Sequence, residues 1–272
     1  MIPALPPVSV VTVTRNAQAT VGETIGSVLS QQGVVLDYWV IDGGSTDGTV
    51  DLIRAHAHRL AGWVSEPDHG IADAFNKGLA RSQGDYLMFL NADDALAGPQ
   101  VLEEMLTAAV RVGSPDVVYA DCDVVHPETG AVLYRAEIRY DRQRFLASET
   151  LPHPGMLMRR RYFERYGNFD VSYRVAMDYE LFLRGIPETG ATRVPMLATR
   201  VRAGGLSARN RRLVVDETIR ALSQHGYLDR LGAARMRANY ALRGAARRAL
   251  EVGGLYAWFD RVRRSRLGGG HA

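Results

Sequence analysis

The sequence predicts an α/β domain built on a mostly parallel sheet with helices on both faces, followed by a helical C-terminal appendage. Along the first half of the chain, short apolar runs rich in β-branched residues alternate with segments of helical periodicity, which is the pattern of repeated βα units. Polar clusters follow the first four apolar runs. Ligands of such sheets bind beyond the carboxyl ends of the strands, so we expect the four clusters to face one crevice.

The individual elements follow from these runs. Strands are predicted at Val8–Thr14, Leu36–Ile41, Gly62–Glu66, Asp85–Asn91 and Asp116–Val125. Helices are predicted at Val21–Gln32, Val50–His58, Gly70–Ser82 and Pro99–Val112. Thr20 and Glu23 have the spacing of a capping box at the start of the first helix. Asp47 is placed to cap the second helix, and Pro99 to take the first position of the fourth.

The second half of the chain follows a different pattern. After about Asp141 the regular alternation stops, and a mixed apolar helix is predicted to begin near Asp178. From Ser207 to about Leu267 the chain is rich in arginine and alanine and is predicted to be helical. We therefore predict an α/β domain at residues 1–206 and a basic helical region at residues 207–272.

Charge is distributed unevenly between these two regions. The formal net charge is +3, but between Arg200 and Ala272 sixteen arginines stand against five acidic residues, so this region carries +11 and the rest of the chain −8. Such a region is expected to meet an anionic membrane surface, a phosphate-bearing substrate or nucleic acid. The alternative is a solvated helical face.

The stretch GGLYAWFDRVRRSRL near the C-terminus predicts an amphipathic helix. Arginines occupy much of one side, and the other side carries Leu255, Trp258, Phe259 and Val262. This helix would lie on an anionic membrane surface, or it would pack on the α/β domain.

Cysteine usage and hydropathy predict the compartment. Cys122 is the only cysteine, which excludes an internal disulfide and a thiolate metal cluster and fits a reducing environment. The N-terminal stretch lacks the basic region of a signal peptide, and no apolar run reaches the roughly 18 residues that a spanning helix needs. We expect a soluble or peripheral protein, either in the cytoplasm or at the inner face of the cell membrane.

Acidic residues follow two of the predicted strands. Asp42 precedes GGSTDGT; a carboxylate there can accept a hydrogen bond from a nucleobase, and the alternative is a tight turn. Asp93 and Asp94 follow the fourth strand directly. Neighbouring carboxylates repel each other unless a cation lies beside them, and Mg²⁺ binds through one or two carboxylates together with phosphate oxygens. The alternative is a solvated surface loop.

Other candidates lie in the predicted helix after the third cluster and in the second half of the chain. Lys77 is the only lysine beside 32 arginines and would suit a phosphate as a compact positive charge. Asp73 and Asn76 are three residues apart and share a helical face. Asp178 could be a general base or an acid stabilised by the helix dipole. The spacing excludes an EF-hand loop, and the sequence has no P-loop motif.

Several motifs together resemble one protein family. They are VSVVTVTRN, VIDGGSTDGT, SEPDHGIADAFNKGLARSQGDYLMFLNADD, FDVSYRVAMDYELFLR and GGLS. In this order and with these gaps, they are similar to the family 2 inverting glycosyltransferases with a GT-A fold, and most of all to the bacterial branch that builds surface polysaccharides and glycolipids. The resemblance covers residues 8–207 and makes residues 1–206 the catalytic domain.

The resemblance implies roles for individual residues. Asp42 matches the aspartate that binds the nucleobase of the donor, commonly uracil, and Asn91-Ala92-Asp93 matches the DxD position with asparagine first. Asp93 is then the metal ligand, with Asp94 beside it, and Asp178 matches the catalytic base. The further residues expected at the donor are Thr14, Arg15, Asp73, Asn76, Lys77 and Asn91.

The reaction implied is a single displacement by a hexosyltransferase. Asp178 would take the proton of an acceptor hydroxyl, that oxygen would attack the sugar, and the nucleoside diphosphate would leave with inversion. Mg²⁺ or Mn²⁺ is the expected cofactor. The expected partners are a nucleotide-sugar donor, with a UDP-sugar favoured, and a saccharide or lipid-linked acceptor, whose contacts are expected at residues 141–173.

Two other function classes stay open on the residues alone. A nucleotidyltransferase would share the nucleotide and metal chemistry, although the sequence has no glycine- and arginine-rich N-terminal phosphate loop. A non-catalytic nucleotide- or nucleic-acid-binding module would use the basic region. The sequence carries no recognisable nucleic-acid-binding motif, so we expect no nucleic-acid partner.

Overall fold

The computed structural model describes residues 4–252, and of residues 243–252 it describes the backbone alone. The chain divides between Ala221 and Leu222 into two compact units. The predicted division of function at residue 206 stays a prediction. The predicted amphipathic helix at residues 253–267 lies outside the described residues.

The described elements alternate between strand and helix through the first half of the chain, as predicted. The strands are β1 (Val8–Thr14), β2 (Leu36–Asp42), β3 (Gly62–Ser65), β4 (Tyr86–Asn91), β5 (Asp94–Leu96), β6 (Val117–Val125), β7 (Val132–Ala136), β8 (Met156–Arg159) and β9 (Thr192–Arg202). The helices are α1 (Val21–Leu29), α2 (Thr49–His56), α3 (Ile71–Arg81), α4 (Val101–Arg111), α5 (Arg142–Leu146), α6 (Arg160–Tyr166), α7 (Met177–Thr189), α8 (Leu206–Arg209), α9 (Arg211–Gln224) and α10 (Arg230–Val252).

The first predicted helix begins at Val21 as expected, but its predicted capping box and its predicted end are wrong. Thr20 makes no capping hydrogen bond to α1, because its hydroxyl donates to the Ala17 carbonyl at 3.4 Å. The helix ends at Leu29 rather than Gln32, since the Gln32 amide leaves the helical pattern and donates to the Pro99 carbonyl at 2.9 Å. This contact joins the end of α1 to the segment before α4.

The predictions for the starts of the second and fourth helices, Asp47 and Pro99, have different outcomes. Asp47 lies one residue before Gly48, the cap residue of α2, and its Oδ1 accepts the amide of the first helical residue, Thr49, at 3.0 Å. Pro99 is not the first residue of α4, which begins at Val101 after Gln100 as its cap. The Pro99 carbonyl is instead the acceptor for the turn that follows α1.

The strands of the described residues form one sheet in the order β3-β2-β1-β4-β8-β6-β9-β5, with β7 paired to β6. The strands β1, β2, β3 and β4 are mutually parallel. The strand β8 is antiparallel to both β4 and β6, so β6 runs in the direction of β4, and β9 is parallel to β6. The predicted sheet, mostly parallel, is confirmed, and β5, β7, β8 and β9 are additions that the sequence did not predict.

Helices cover both faces of this sheet, as predicted. Every residue of β1 is buried, and successive side chains of a strand point to opposite faces. Val8 and Val10 belong to a core cluster with residues of α1 and α4. On the other face Val11 meets α3, where a Cβ on Gly78 would lie 2.2 Å from Val11 Cγ1. The core is therefore two layers that share β1.

The second unit consists, in its described part, of the end of α9 and of α10. Within residues 4–252 none of the helices combines the length and the apolar character that crossing a membrane requires.

A substitution at Gly84 tests how closely β1 and the turn before β4 approach each other. An added Cβ there would lie 2.4 Å from the Ser9 backbone nitrogen, and backbone atoms cannot move aside cheaply. We expect Gly84→Ala to lower the free energy of unfolding by about 1–3 kcal/mol, measured as a lower thermal midpoint. Gly26 of α1 is the control, because a Cβ there meets nothing within 4 Å, and Gly26→Ala should stabilise the protein by roughly 0.5–1 kcal/mol. Equal midpoints for the two variants would contradict the close approach.

Candidate active site

The carboxyl ends of the four parallel strands lie along one edge of the sheet. In the strand register Thr14 pairs with Asp42, Asp42 with Ser65, and Val13 with Asn91. Neighbouring strands are about 4.8 Å apart, so the ends of β2 and β4 are about 10 Å apart. The four polar clusters therefore meet at one edge, which is the arrangement expected from the sequence.

The Asp42 carboxylate organises the loop after β2. It is fully buried, and its Oδ2 accepts the amides of Gly44 at 3.1 Å and Ser45 at 2.9 Å and the Ser65 hydroxyl at 2.6 Å. Its Oδ1 accepts the Ser45 hydroxyl. A carboxylate offers about four acceptor positions, and the room left is on Oδ1. The predicted contact between Asp42 and a nucleobase stays a prediction, and it would use Oδ1.

The end of β1 holds the same loop from the other side. The Asn16 amide donates to the Ser45 hydroxyl at 2.7 Å, and the Asn16 side chain accepts the Thr46 amide at 2.9 Å. Asn16 has a φ of +50°, a left-handed conformation that asparagine tolerates better than most residues. The chain therefore turns sharply after β1 and ties its loop to that of β2.

Thr14 and Arg15, both predicted at the donor, lie at this turn. The Thr14 hydroxyl is buried and has no hydrogen-bond partner in the described structure. Arg15 is exposed and crosses Gly43, where an added Cβ would lie 3.4 Å from Arg15 Cδ and 2.1 Å from Asp68 Oδ2. Gly43 thus leaves room for the loops after β1 and β3 to approach each other.

Two of the α3 residues that were predicted at the donor, Asp73 and Lys77, make contacts within the protein. Lys77 Nζ donates to the Pro67 carbonyl at 2.9 Å and pairs with Glu66 at 3.1 Å and Asp73 at 3.5 Å. Asp73 also accepts the His69 amide at 3.0 Å, and this hydrogen bond is the main reason that its pKa is lowered. Asp73 and Lys77 therefore fix the loop between β3 and α3.

Asn76 faces a different part of the chain. Its amide donates to the Phe169 carbonyl at 2.8 Å and accepts the Phe169 amide at 3.0 Å. Both ends of the side chain are occupied by backbone, so the structure joins Asn76 to the segment before α7 and not to the strand-end loops. Its predicted contact with the donor stays a prediction.

The acidic pair after β4 is only partly balanced by its surroundings. Asp93 is half-buried, and burial raises its pKa, with Arg202 and Arg209 acting in the opposite direction. Burial and the neighbouring charge of Asp93 raise the pKa of Asp94 to about 8, although the Asn91 amide donates to Asp94 at 3.2 Å. A cation beside these oxygens would relieve both effects.

These residues fit a divalent cation that is shared with a phosphate ligand. In the described residues no group of three or more histidine, cysteine or acidic side chains could hold a metal ion. Mg²⁺ at nucleotide sites is held by one or two carboxylates together with phosphate oxygens, and Asp93 supplies such a carboxylate. Asp93 makes no ion pair within the described part of the chain, so its oxygens can take a ligand.

Arginines of β9 and α8 complete the surroundings of Asp93, and sequence reasoning missed them. A cleft of about 180 Å³ is lined by Glu23, Asp93, Ala95, Val125, Gly130, Arg200 and Arg202. Arg202 forms an ion pair with Glu23 and donates to the Pro127 carbonyl at 2.8 Å. The pairing of β5 with β9 brings Asp93 and these arginines together, because Asp94 of β5 pairs with Val201 of β9. Arginine and acidic side chains therefore lie together on this side of the sheet edge.

Asp178 lies in the first turn of α7, as predicted. Its Oδ1 accepts the Tyr179 amide at 2.7 Å, and its side chain is 27% exposed. Its Oδ2 lies 3.9 Å from Nδ1 of His153, whose ring centroid is 5.9 Å from that of Phe89 on β4. Phe89 and Asn91 share a face of β4, so Asp178 lies on the Asn91 side of the sheet.

Glu217 of α9 holds the segment in front of Asp178. The buried Glu217 carboxylate accepts the amides of Arg174 at 2.8 Å and of Val175 and Ala176 at 2.9 Å each. These amides precede α7. Nothing in the local sequence marks Glu217 for this contact, because the residues that it binds are more than 40 positions earlier.

Known proteins resemble this chain in sequence. The family model described as Glycosyl transferase family 2 matches residues 9–167. An uncharacterised glycosyltransferase of Mycobacterium tuberculosis (strain H37Rv) is 31% identical over 182 residues, which is 66% of this chain and 68% of the relative. A PGL/p-HBAD biosynthesis glycosyltransferase of Mycobacterium bovis (strain BCG) is 29% identical over 184 residues, 66% of this chain and 70% of the relative.

Solved structures resemble it in fold. TarS 1–349 of S. aureus in complex with UDP-GlcNAc has a TM-score of 0.66 at 16% identity, over 85% of this chain and 69% of that one. The mannosyltransferase PcManGT of Pyrobaculum calidifontis in complex with GDP-Man and Mn²⁺ has a TM-score of 0.58 at 17% identity, over 99% and 89%. At these identities the likeness concerns the fold, and it confirms the GT-A fold predicted from the sequence.

We expect Glu217→Ala to lower the free energy of unfolding by about 2–3 kcal/mol, because three backbone amides would lose a charged acceptor. The thermal midpoint should fall by roughly 4–12 °C for a chain of this size. Glu188→Ala is the matched control, since Glu188 is exposed near the end of α7 and surface substitutions change stability by at most about 0.5 kcal/mol. Similar midpoints for both variants would contradict the bracing role of Glu217.

Proposed function

The chain belongs to glycosyl transferase family 2, and we propose that it transfers a sugar from a nucleoside-diphosphate donor to an acceptor hydroxyl with inversion at the anomeric carbon. The observation that carries this proposal is the meeting of the loops after β1, β2, β3 and β4 at one edge, with Asp178 on the Asn91 side of β4. Family membership favours the transferase over the nucleotidyltransferase and the binding module.

For the donor we favour a UDP-sugar. The buried Asp42 and its loop would receive the nucleobase, with Thr14 and Arg15 beside it. Support comes from the relatives of the same fold, which are complexes with UDP-GlcNAc and GDP-Man, so the nucleobase itself is for experiment to decide. In this proposal Asp73 and Lys77 act by holding the loop after β3.

A divalent cation, Mg²⁺ or Mn²⁺, would be held by Asp93 together with the donor phosphates, with Asp94 and Asn91 beside it. When bound, such an ion offsets the negative charge that develops on the leaving diphosphate. One relative of the same fold is a complex with Mn²⁺. Arg202 and Arg209 are close enough to act on Asp93, and they add positive charge on the same side.

Asp178 would serve as the general base. Its Oδ2 takes the proton of the acceptor hydroxyl, and the oxygen forms a bond to the anomeric carbon. The bond from that carbon to the diphosphate oxygen breaks on the opposite face, and the nucleoside diphosphate leaves. The partial exposure of Asp178 supports this role, because a base must reach the substrate.

The acceptor is proposed to be a saccharide or a lipid-linked saccharide. One relative is a PGL/p-HBAD biosynthesis glycosyltransferase, which favours a glycolipid or surface polysaccharide product made at the inner face of the cell membrane. Residues 141–173 are proposed to contact the acceptor, because His153 of that segment approaches Asp178.

Nucleotide binding should depend on Asp93. With UDP at about 100 times its Kd, the thermal midpoint should rise by roughly 5–10 °C, and more in the presence of Mn²⁺ than in its absence. GDP, dTDP and ADP should give smaller shifts. Asp93→Asn should lose the Mn²⁺-dependent part, whereas Asp51→Asn should keep it, because Asp51 lies on the exposed surface of α2 and pairs with Arg54 at 2.7 Å. A folded protein that responds to no nucleotide, or an Asp93→Asn variant with the full Mn²⁺ response, would overturn the donor site.

Asp178→Asn should separate chemistry from binding. We expect kcat to fall by about 10²–10⁴-fold, because the amide cannot accept the proton, while the midpoint shift with UDP and Mn²⁺ stays unchanged. Transfer can be followed as release of nucleoside diphosphate, and the anomeric configuration of the product by NMR. A variant with near wild-type kcat, or a product with retained configuration, would contradict the proposed base and displacement.

A further inference from the structure

We propose that His153 is a positioning residue for Asp178: its Nδ1–H faces Oδ2 of the carboxylate and orients it toward the acceptor hydroxyl. The inference rests on the proposed function, in which Asp178 is the general base. It concerns a residue that the sequence motifs did not single out.

The surroundings of His153 are unusual for a histidine. The residue opens a short 3₁₀ turn, His153–Gly155, ahead of β8, and it is buried. Its ring packs against four phenylalanines of four different segments, with ring-centroid distances of 5.6–5.9 Å to Phe75, Phe89, Phe169 and Phe182. A fifth aromatic ring would fill such a site without any polar atom to satisfy.

Of the two ring nitrogens of His153, Nδ1 faces a polar neighbour and Nε2 has none among the described residues. Nε2 is buried and has no hydrogen-bond partner in the described structure. Nδ1 lies 3.9 Å from Asp178 Oδ2, and among the described residues Asp178 is the charged group whose field acts on the ring. Among the described residues, Asp178 is therefore the one group toward which an N–H of the imidazole is directed.

Charge and tautomer follow from this placement. Burial lowers the pKa of His153, with Asp178 acting in the opposite direction, so the ring is neutral at pH 7. A neutral imidazole carries one N–H and one bare nitrogen. A bare Nδ1 would point its lone pair at a carboxylate, which is unfavourable, so the proton is on Nδ1 and the bare nitrogen is Nε2.

This arrangement leaves Asp178 with two oxygens in different environments. Oδ1 accepts the amide of the next residue, Tyr179, at 2.7 Å, so the carboxylate cannot rotate freely. Oδ2 faces His153 at 3.9 Å, which is about 0.7 Å beyond the upper limit of a normal N–H···O hydrogen bond. Hydrogen bonds of catalytic groups are often long without substrate and tighten in the complex. A donor at this point favours the charged carboxylate and fixes which lone pair faces the acceptor.

Three substitutions distinguish this role from simple packing. His153→Asn keeps an N–H donor two bonds from Cβ, at the position of Nδ1. His153→Gln places its donor one bond further out, near the position of Nε2. His153→Phe keeps an aromatic ring and removes both nitrogens. The three variants thus keep the donor, displace it and delete it.

The expected result is a fall in kcat by about 10- to 100-fold in the Phe and Gln variants, the size typical of a misplaced reacting group. The Asn variant should stay within about threefold of wild type, since the donor that orients the carboxylate remains. The KM for the donor should not change, because the substitutions act on the orientation of the Asp178 carboxylate and leave the donor site intact. The Phe variant should be at least as stable as wild type, because it removes a buried nitrogen without a partner.

Two results would overturn the inference. One is a wild-type kcat in the Phe variant. The other is an Asn variant as slow as the Phe variant, which would mean that the ring shape and not the Nδ1–H matters. Failure of the proposed function is distinguishable, because then either the wild type would transfer no sugar or Asp178→Asn would retain transfer, whatever the His153 variants do.

Discussion

The site depends first on the pairing of β1 with both β2 and β4. Every residue of β1 is buried, and its parallel register with β2 and β4 brings Thr14, Asp42 and Asn91 to the same edge. A slip of one residue would reverse the faces of all its side chains. It would turn Val8 and Val10 away from α1 and α4, with which they form the core cluster. The packing that stabilises the sheet is therefore also what aligns the loops of the active site.

The parts of this arrangement that are local in sequence could be predicted. The runs that form β1, β2 and β4 are apolar and β-branched, so the strands could be predicted. The meeting of the polar residues after them could be predicted too, because ligands bind at the carboxyl ends of parallel strands. The contact of Asp47 with the first amide of α2 is short-range, and the sequence predicts Asp47 at this helix start. The capping box at Thr20 was wrong for the opposite reason, since Glu23 forms an ion pair with Arg202 from a distant strand.

What could not be predicted is long-range. Glu217 binds amides that lie more than 40 positions earlier in the chain, and Arg202 reaches Asp93 only because β9 pairs with β5. His153 carries no local pattern that separates it from an ordinary buried histidine. Asn76 shows the same effect from the other side: its helical spacing is compatible with a ligand, whereas its amide is occupied by the backbone of Phe169. Spacing identifies which residues share a face, and tertiary contacts decide their use.

Several polar groups without full hydrogen bonding lie where ligands are proposed to bind. In the described structure four buried side-chain atoms lack hydrogen-bond partners, and two of them, Thr14 Oγ1 and His153 Nε2, adjoin the strand-end loops and Asp178. Asp93 and Asp94, with their raised pKa values, lie at the same edge. Each such group lowers the stability of the free protein. Stability alone would favour apolar residues at these positions, and the proposed binding of a nucleotide-sugar donor, a cation and an acceptor at this edge would account for the polar ones.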